Sequence, residues 1–175
     1  MSRKIRLEDR QCPLSTTVRH VGEWWTLLIL HDAFDGYTRF DQFQQSLSIS
    51  TSMLTARLKT LVADGLLERR PYQENPVRHE YVLTERGRSL RPVIVALAAW
   101  GNRHLAPEDR TMILVDAETG RETEPVVVDA RTGKSLDDSA AYVFTAGPAA
   151  DGEMRARYAE LGRQRRGDGP GPGTA

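Results

Sequence analysis

The 175 residues contain a single cysteine, Cys12. One thiol cannot close an intramolecular disulfide or build a cysteine-based zinc site, so both usual staples of small domains are missing and stability has to come from burial. No apolar run approaches the ~18 to 20 residues that span a bilayer. The N-terminal stretch MSRKIRLEDRQCP is charged and lacks the apolar centre of a secretory signal. These absences predict a cytoplasmic protein with no membrane role. There is no G-x-S-x-G, H-E-x-x-H, P-loop or dinucleotide fingerprint, and His20, His31, His79 and His104 stand singly. No catalytic residue, metal ligand or cofactor is expected, and the chain reads as a non-enzyme. Net charge is missing too, with 24 Lys+Arg against 24 Asp+Glu.

That zero hides a division. Residues 1–105 hold 15 Lys+Arg and 11 Asp+Glu, a net of +4, and residues 106–175 hold 9 and 13, a net of −4. Screening over ~8 to 10 Å makes a local positive field matter more to a polyanion than the chain total does. Nucleic acid is therefore not excluded, although such an excess is also ordinary surface variation. The length predicts one domain, or one domain plus an appendage of a few dozen residues. The expected division is 1–105, 106–148 and 149–175.

The segment EWWTLLILHDAF, 23–34, is apolar on nearly every helical face and predicts a central buried helix that Gly36 stops. TRFDQFQQSL follows, with Phe40, Phe43 and Leu47 at helical spacing. In TSMLTARLKTLVADG, Ser50 is the expected N-cap and Gly65 the C-terminal stop. Leu54, Leu58, Leu61 and Val62 form one stripe, opposite Ser52, Ala56, Lys59 and Thr60. A small, weakly basic outer face suits a groove ~12 Å wide; a solvated helix surface is the competing reading. LLERRPY and EYVL then predict two strands joined by QENPVRH, a turn flanked by Arg69, Arg70, Arg78 and His79. Three short helices followed by a basic hairpin predict a winged helix-turn-helix, mainly α with a small β component. TERGRSLRPVIVALAAWGNRHL carries a wide apolar stripe, and Pro92 predicts a kink or a helix in two parts. A stripe of that size predicts a homodimer through the same helix of a second copy.

Several residues resemble the HxlR-type winged-helix transcriptional regulators of bacteria and archaea. They are Cys12-Pro13, Trp25 to Leu30, Arg39-Phe40, Met53-Leu54-Thr55 with Arg57-Leu58, Asp64-Gly65-Leu66, Glu80-Tyr81 with Leu83-Thr84, and Ser89-Leu90 with Pro92-Val93 to Trp100-Gly101. About ninety residues are covered, in order. The resemblance implies a dimeric DNA-binding regulator of a nearby operon, with the dimer made by the first and last helices of the domain. It also implies that Cys12 occupies the place of the redox or electrophile sensor of some members; a small hydrophobe is the competing reading. Ser52 and Ala56 stand where relatives carry larger polar or basic side chains.

The expected DNA contacts are Thr38 and Arg39 at the start of the second helix, Thr51, Ser52, Thr55, Arg57 and Lys59 on the third, and Arg78 in the wing. Arg57 lies beside the apolar stripe and is read as a phosphate contact first. The expected partner is double-stranded DNA, bound as a pseudo-palindromic operator, most simply for repression. Control is expected from thiol oxidation or from a small-molecule effector, for which Trp24, Trp25 and Phe34 are candidates. The alternative is a winged-helix interaction module without sequence-specific DNA binding.

Beyond Leu105 two D-A-x-T-G turns recur, at Asp116 to Gly120 and Asp129 to Gly133. In outline they resemble the zinc-ribbon-like tails of some family members, with Asp116, Thr119, Asp129 and Thr132 in place of cysteines. Threonine hydroxyls are poor zinc ligands. The expectation is a short C-terminal β-hairpin appendage, a degenerate ribbon without metal, held by packing of Ile113, Val115, Val126, Val128, Val143 and Phe144. DGEMRARYAELGRQRR can form one further helix, whereas GDGPGPGTA cannot and predicts disorder.

Overall fold

The computed structural model describes residues 13–139 and 141–167. They fall into two compact units, one of residues 16–126 and one of residues before Thr16 together with those from Val127 onward. Cys12 and residues 168–175 lie outside the described residues.

Helices α1 (Pro13–Val21), α2 (Trp24–Phe34), α3 (Phe40–Leu47) and α4 (Thr51–Ala63) precede an antiparallel hairpin, β1 (Leu67–Gln73) and β2 (Arg78–Leu83). Apolar spacing selects the core. Ile29 and Leu30 of α2, Phe43 of α3, and Leu54, Leu58 and Leu61 of α4 are buried, with Leu66 and Leu67 closing the cluster from the hairpin. The uniformly apolar sequence of α2 predicts burial on all sides, and the structure departs from it. Trp24 and Leu28 are exposed, one above the other at i and i+4, because the domain's own helices cover only one side of α2.

The ends of α4 are set locally. Ser50 Oγ accepts from the Met53 amide at 3.3 Å, and Gly65 takes the positive φ of 68° that follows the helix. Beyond β2, the Thr84 hydroxyl accepts from the Gly87 amide at 3.0 Å and donates to the Gly65 carbonyl at 2.6 Å. Position 87 must be glycine, since a Cβ there would lie 2.1 Å from the Leu66 carbonyl oxygen. The apolar segment that follows is two helices, α5 (Glu85–Arg88) and α6 (Arg91–Asn102). Pro92 sits in the first turn of α6, where no intrahelical donor is lost. Ile94 turns inward, whereas Val93, Leu97 and Trp100, about a quarter turn away around α6, are exposed.

The appendage departs from expectation. Both turns form, but each is closed by one isolated bridge, Val115 with Glu122 and Val128 with Ser135. Neither extends into a paired strand among the described residues, so no hairpin sheet or ribbon is formed. The expected packing is absent within each unit as well: Ile113, Val115 and Val126 of the unit 16–126 are 43 to 57% exposed, and Val128, Val143 and Phe144 of the other are 44 to 84% exposed. Extended segments with a single bridge offer no second layer to pack on. Polar chemistry holds the turns instead. Asp116 Oδ1 accepts from the Thr119 amide at 2.7 Å, the Thr119 hydroxyl at 2.9 Å and the Glu118 amide at 3.0 Å. Asp129 accepts from the Arg131 amide at 3.0 Å and the Thr132 hydroxyl at 2.8 Å. These donors, the Thr119 and Arg131 amides foremost, hold both carboxyl groups below their ordinary range. The aspartate and threonine at the ribbon's ligand positions thus bond to each other.

The last helix, α7 (Gly152–Arg166), starts at Asp151, whose carboxylate accepts from the Met154 amide at 2.8 Å. It is polar on all sides and buries no residue.

Candidate nucleic-acid interface

Helices α3 and α4 are joined by a short turn in which Ser48 adopts a left-handed φ of 49°. Because Leu54, Leu58 and Leu61 are buried, the opposite side of α4 faces outward, exposing Thr51, Ser52, Thr55, Ala56, Lys59 and Thr60. Several hydroxyls are already engaged. Thr51 Oγ1 accepts from Gln44 Nε2 at 2.8 Å, which ties α3 to α4. Thr55 Oγ1 donates to the Thr51 carbonyl at 2.7 Å, so its methyl group and lone pairs are what it offers outward. Lys59 has no carboxylate partner among the described residues.

Arg57 is placed differently from its neighbours. Its guanidinium is half-buried and pairs with Glu23 at 3.2 Å, while its Nε is buried without a partner. The cation therefore braces α4 against the start of α2.

Thr38 and Arg39 do more than start α3. The Gln42 carboxamide oxygen accepts from both their amides, at 3.1 and 2.9 Å. The Thr38 carbonyl accepts from the Tyr81 amide at 2.7 Å, and Arg39 forms an isolated bridge with Glu80. The segment entering α3 is thus laid along β2, which couples the helix pair to the wing. The wing has a bulge between Pro71 and Gln73 that leaves Tyr72 outside the pairing. The Arg39 guanidinium lies over the Tyr72 ring, 4.6 Å from its centroid. Arg39, Arg69, Tyr72, Arg78 and His79, with the carboxylate of Asp41, line one shallow hollow of about 350 Å³. In it Arg69 Nη2 meets His79 Nδ1 at 2.9 Å; arginine can only donate, so Nδ1 is the acceptor. Arg78 is exposed and without a carboxylate partner among the described residues. Arg70 points elsewhere and pairs with Glu68 at 2.7 Å, which holds that carboxyl below its ordinary range.

The structure therefore brings Arg39 and Arg78 together, adds Arg69, Tyr72 and His79 to them, and presents Thr51, Ser52, Thr55 and Lys59 on one helix face. Tyr72 was invisible as a partner of Arg39 because strand alternation alone sets it on the side of Glu68 and Arg70; only the bulge changes that.

Residues 20–109, more than half of the chain, match the HxlR-like helix-turn-helix family. The chain belongs to that family. It is therefore a DNA-binding transcriptional regulator by descent, not an enzyme. This HxlR-like chain is 43% identical over 117 residues to an uncharacterized HTH-type transcriptional regulator of Mycobacterium tuberculosis, covering 66% of this chain and 74% of that one. Among solved structures it resembles PA1374 of Pseudomonas aeruginosa, described as a candidate transcription factor, with a TM-score of 0.62 and 44% identity over 83% of this chain and 99% of the other. It also resembles the redox regulator HypR in its oxidized form, with a TM-score of 0.50 and 35% identity over 54% of this chain and 99% of that one. The likeness to PA1374 extends well beyond the family-matched residues. Among the described residues no helix is long and apolar enough to cross a membrane, and no group of three or more His, Cys, Asp or Glu side chains is placed to hold a metal ion.

Proposed function

We propose that this HxlR-like regulator binds a pseudo-palindromic operator as a homodimer and represses from it. The observation that carries the reading is the outward face of α4, together with the three arginines gathered at the wing hollow. Inserted into the major groove, α4 offers the thymine-seeking methyl of Thr55, the hydroxyls of Thr51 and Ser52, and the charge of Lys59. Thr38, Arg39 and Arg78 meet the phosphates that flank the groove, so most of this contact set positions the protein and little of it reads bases. Arg57 joins the set by exchanging Glu23 for a phosphate. Two such helices on a two-fold axis lie ~34 Å apart, about one duplex turn. Support for the dimer comes from Trp24 and Leu28 on α2 and Val93, Leu97 and Trp100 on α6, five large apolar side chains that are all more than 40% exposed.

Titrating a labelled duplex from the gene's own upstream region at two salt concentrations tests the reading. Affinity is expected to fall with salt at a log–log slope of ~0.9 per neutralised phosphate, and Lys59→Ala or Arg78→Ala to lower that slope by about 1 while weakening all sequences alike. Affinity indifferent to salt would leave only a protein-interaction role, and equal affinity for an unrelated duplex would remove the specific operator.

The proposed input is oxidation of Cys12, supported by the likeness to the redox regulator HypR and by the cysteine's place directly before α1. Cys12→Ser is expected to retain duplex affinity and to lose the change that diamide causes in the parent. An undiminished diamide response in that variant removes the thiol from the mechanism.

A further inference from the structure

A second hollow, on the compact unit of residues 16–126, is not used by the DNA-binding surface. It is a cleft of about 710 Å³ between the C-terminal half of α2, α6 and the segment 110–125, inside the ~300 to 1,000 Å³ typical of small-molecule sites. Two bonds pin its outer wall: Asn102 Nδ2 donates to the Met112 carbonyl at 2.8 Å, and His31 Nε2 meets Met112 Sδ at 3.1 Å. The floor is apolar, with Phe34, Ile94 and Ala98 among its lining.

The charges around this floor are unevenly committed. Of the three carboxylates in the lining, Glu122 is held by Arg110 Nη1 at 3.0 Å and Asp35 lies 3.6 Å from His31, which leaves Glu124. Of the three guanidiniums, Arg91 and Arg103 have no carboxylate partner among the described residues, and Arg91 lies over the Phe34 ring at 5.8 Å. Arg110 keeps a buried Nε with nothing to bond to. Closed off from solvent, that Nε is out of a ligand's reach, and Arg110 serves the wall of the cleft by holding Glu122. A carboxylate matches a guanidinium edge in both charge and geometry, and an aromatic or aliphatic body matches the floor.

We propose that this cleft binds a small organic monocarboxylate with an apolar body, through the unpaired guanidiniums of Arg91 and Arg103, and that the ligand is an effector of the regulator. The site itself stands on the cleft alone. Its regulatory consequence rests on the DNA-binding reading, since the ligand bridges α2 to α6, the two helices proposed to form the dimer.

Calorimetry and thermal unfolding with benzoate, phenylacetate and hexanoate, against neutral benzamide, test the site. At least one of the three carboxylates is expected to bind and raise the melting temperature at 10 mM, with benzamide at least tenfold weaker than benzoate. The double variant Arg91→Gln with Arg103→Gln, and separately Ala98→Leu, are each expected to weaken the binding at least tenfold. Ala98→Leu fills the cleft and leaves every charge in place, so a general loss of positive charge is told apart from loss of the site. No binding by any of the three, equal binding of benzamide, or full affinity in folded Ala98→Leu overturns the proposal. Saturating carboxylate is expected to change duplex affinity at least threefold, and an unchanged affinity overturns the effector role. Failure of the DNA-binding reading shows separately, as absence of duplex binding by the ligand-free protein.

Discussion

Glutamate at both Leu97 and Trp100 is expected to yield a monomer and to weaken operator binding by about 10²-fold or more. Both side chains are exposed on α6, at 48 and 64%, so the exchange removes nothing from the domain's own core and the circular dichroism spectrum should stay that of the parent. In the proposed dimer the same positions face apolar surface of the second copy. Two carboxylates per protomer then meet their counterparts across the two-fold axis, and each must be desolvated without a partner. The loss in operator affinity follows from linkage: the second recognition helix no longer arrives at the high local concentration set by the first, a factor of ~10² to 10⁴. Sedimentation equilibrium and duplex titration read the two effects. A double variant that still sediments as a dimer would place the two-fold contact elsewhere.

Phe43→Ala is expected to cost about 3 to 5 kcal/mol of folding stability, the range for truncating a buried aromatic ring. Phe43 is completely buried, and the Tyr37 ring meets it edge-on with centroids 6.4 Å apart. It also stands where α3 rests on α2, so the cavity opens beneath the helix that carries Gln44 against Thr51 of α4. Against a typical total of ~5 to 15 kcal/mol such a loss is severe, and the thermal midpoint should fall by roughly 15 °C or more. Gln45→Ala on the exposed side of the same helix should stay within about 0.5 kcal/mol. Urea unfolding of both variants measures the difference; similar midpoints would mean that α3 is not held through Phe43.

How far the sequence could be read differs from element to element. The ends of α4 were legible because the physics there is local: a serine before the helix accepts an amide three residues on, and a glycine after it takes a positive φ. Pro92 gave away the division between α5 and α6 for the same reason. The buried stripe of Leu54, Leu58 and Leu61 followed from spacing alone, and with it the outward side of α4 that carries Thr51, Ser52, Thr55 and Lys59. Where spacing was used to infer packing, it failed in two places. α2 is apolar on most faces, yet one of them lacks a cover within this chain. The valines after Leu105 have strand-like sequences, yet a strand exists only when a second one pairs with it.

What the sequence by itself determined is the set of elements governed by neighbours within about four residues: helix ends, turns, the proline break and the direction in which each amphipathic helix turns its apolar side. Tertiary structure alone decided which charges are committed and which are free. Arg57 lies against Glu23, thirty-four positions away, Arg39 over Tyr72 at a bulge, and Arg110 against Glu122 with one donor left over. An ion pair or a cation on a ring depends on distances of 3 to 5 Å between residues far apart along the chain, and periodicity carries no information about such distances.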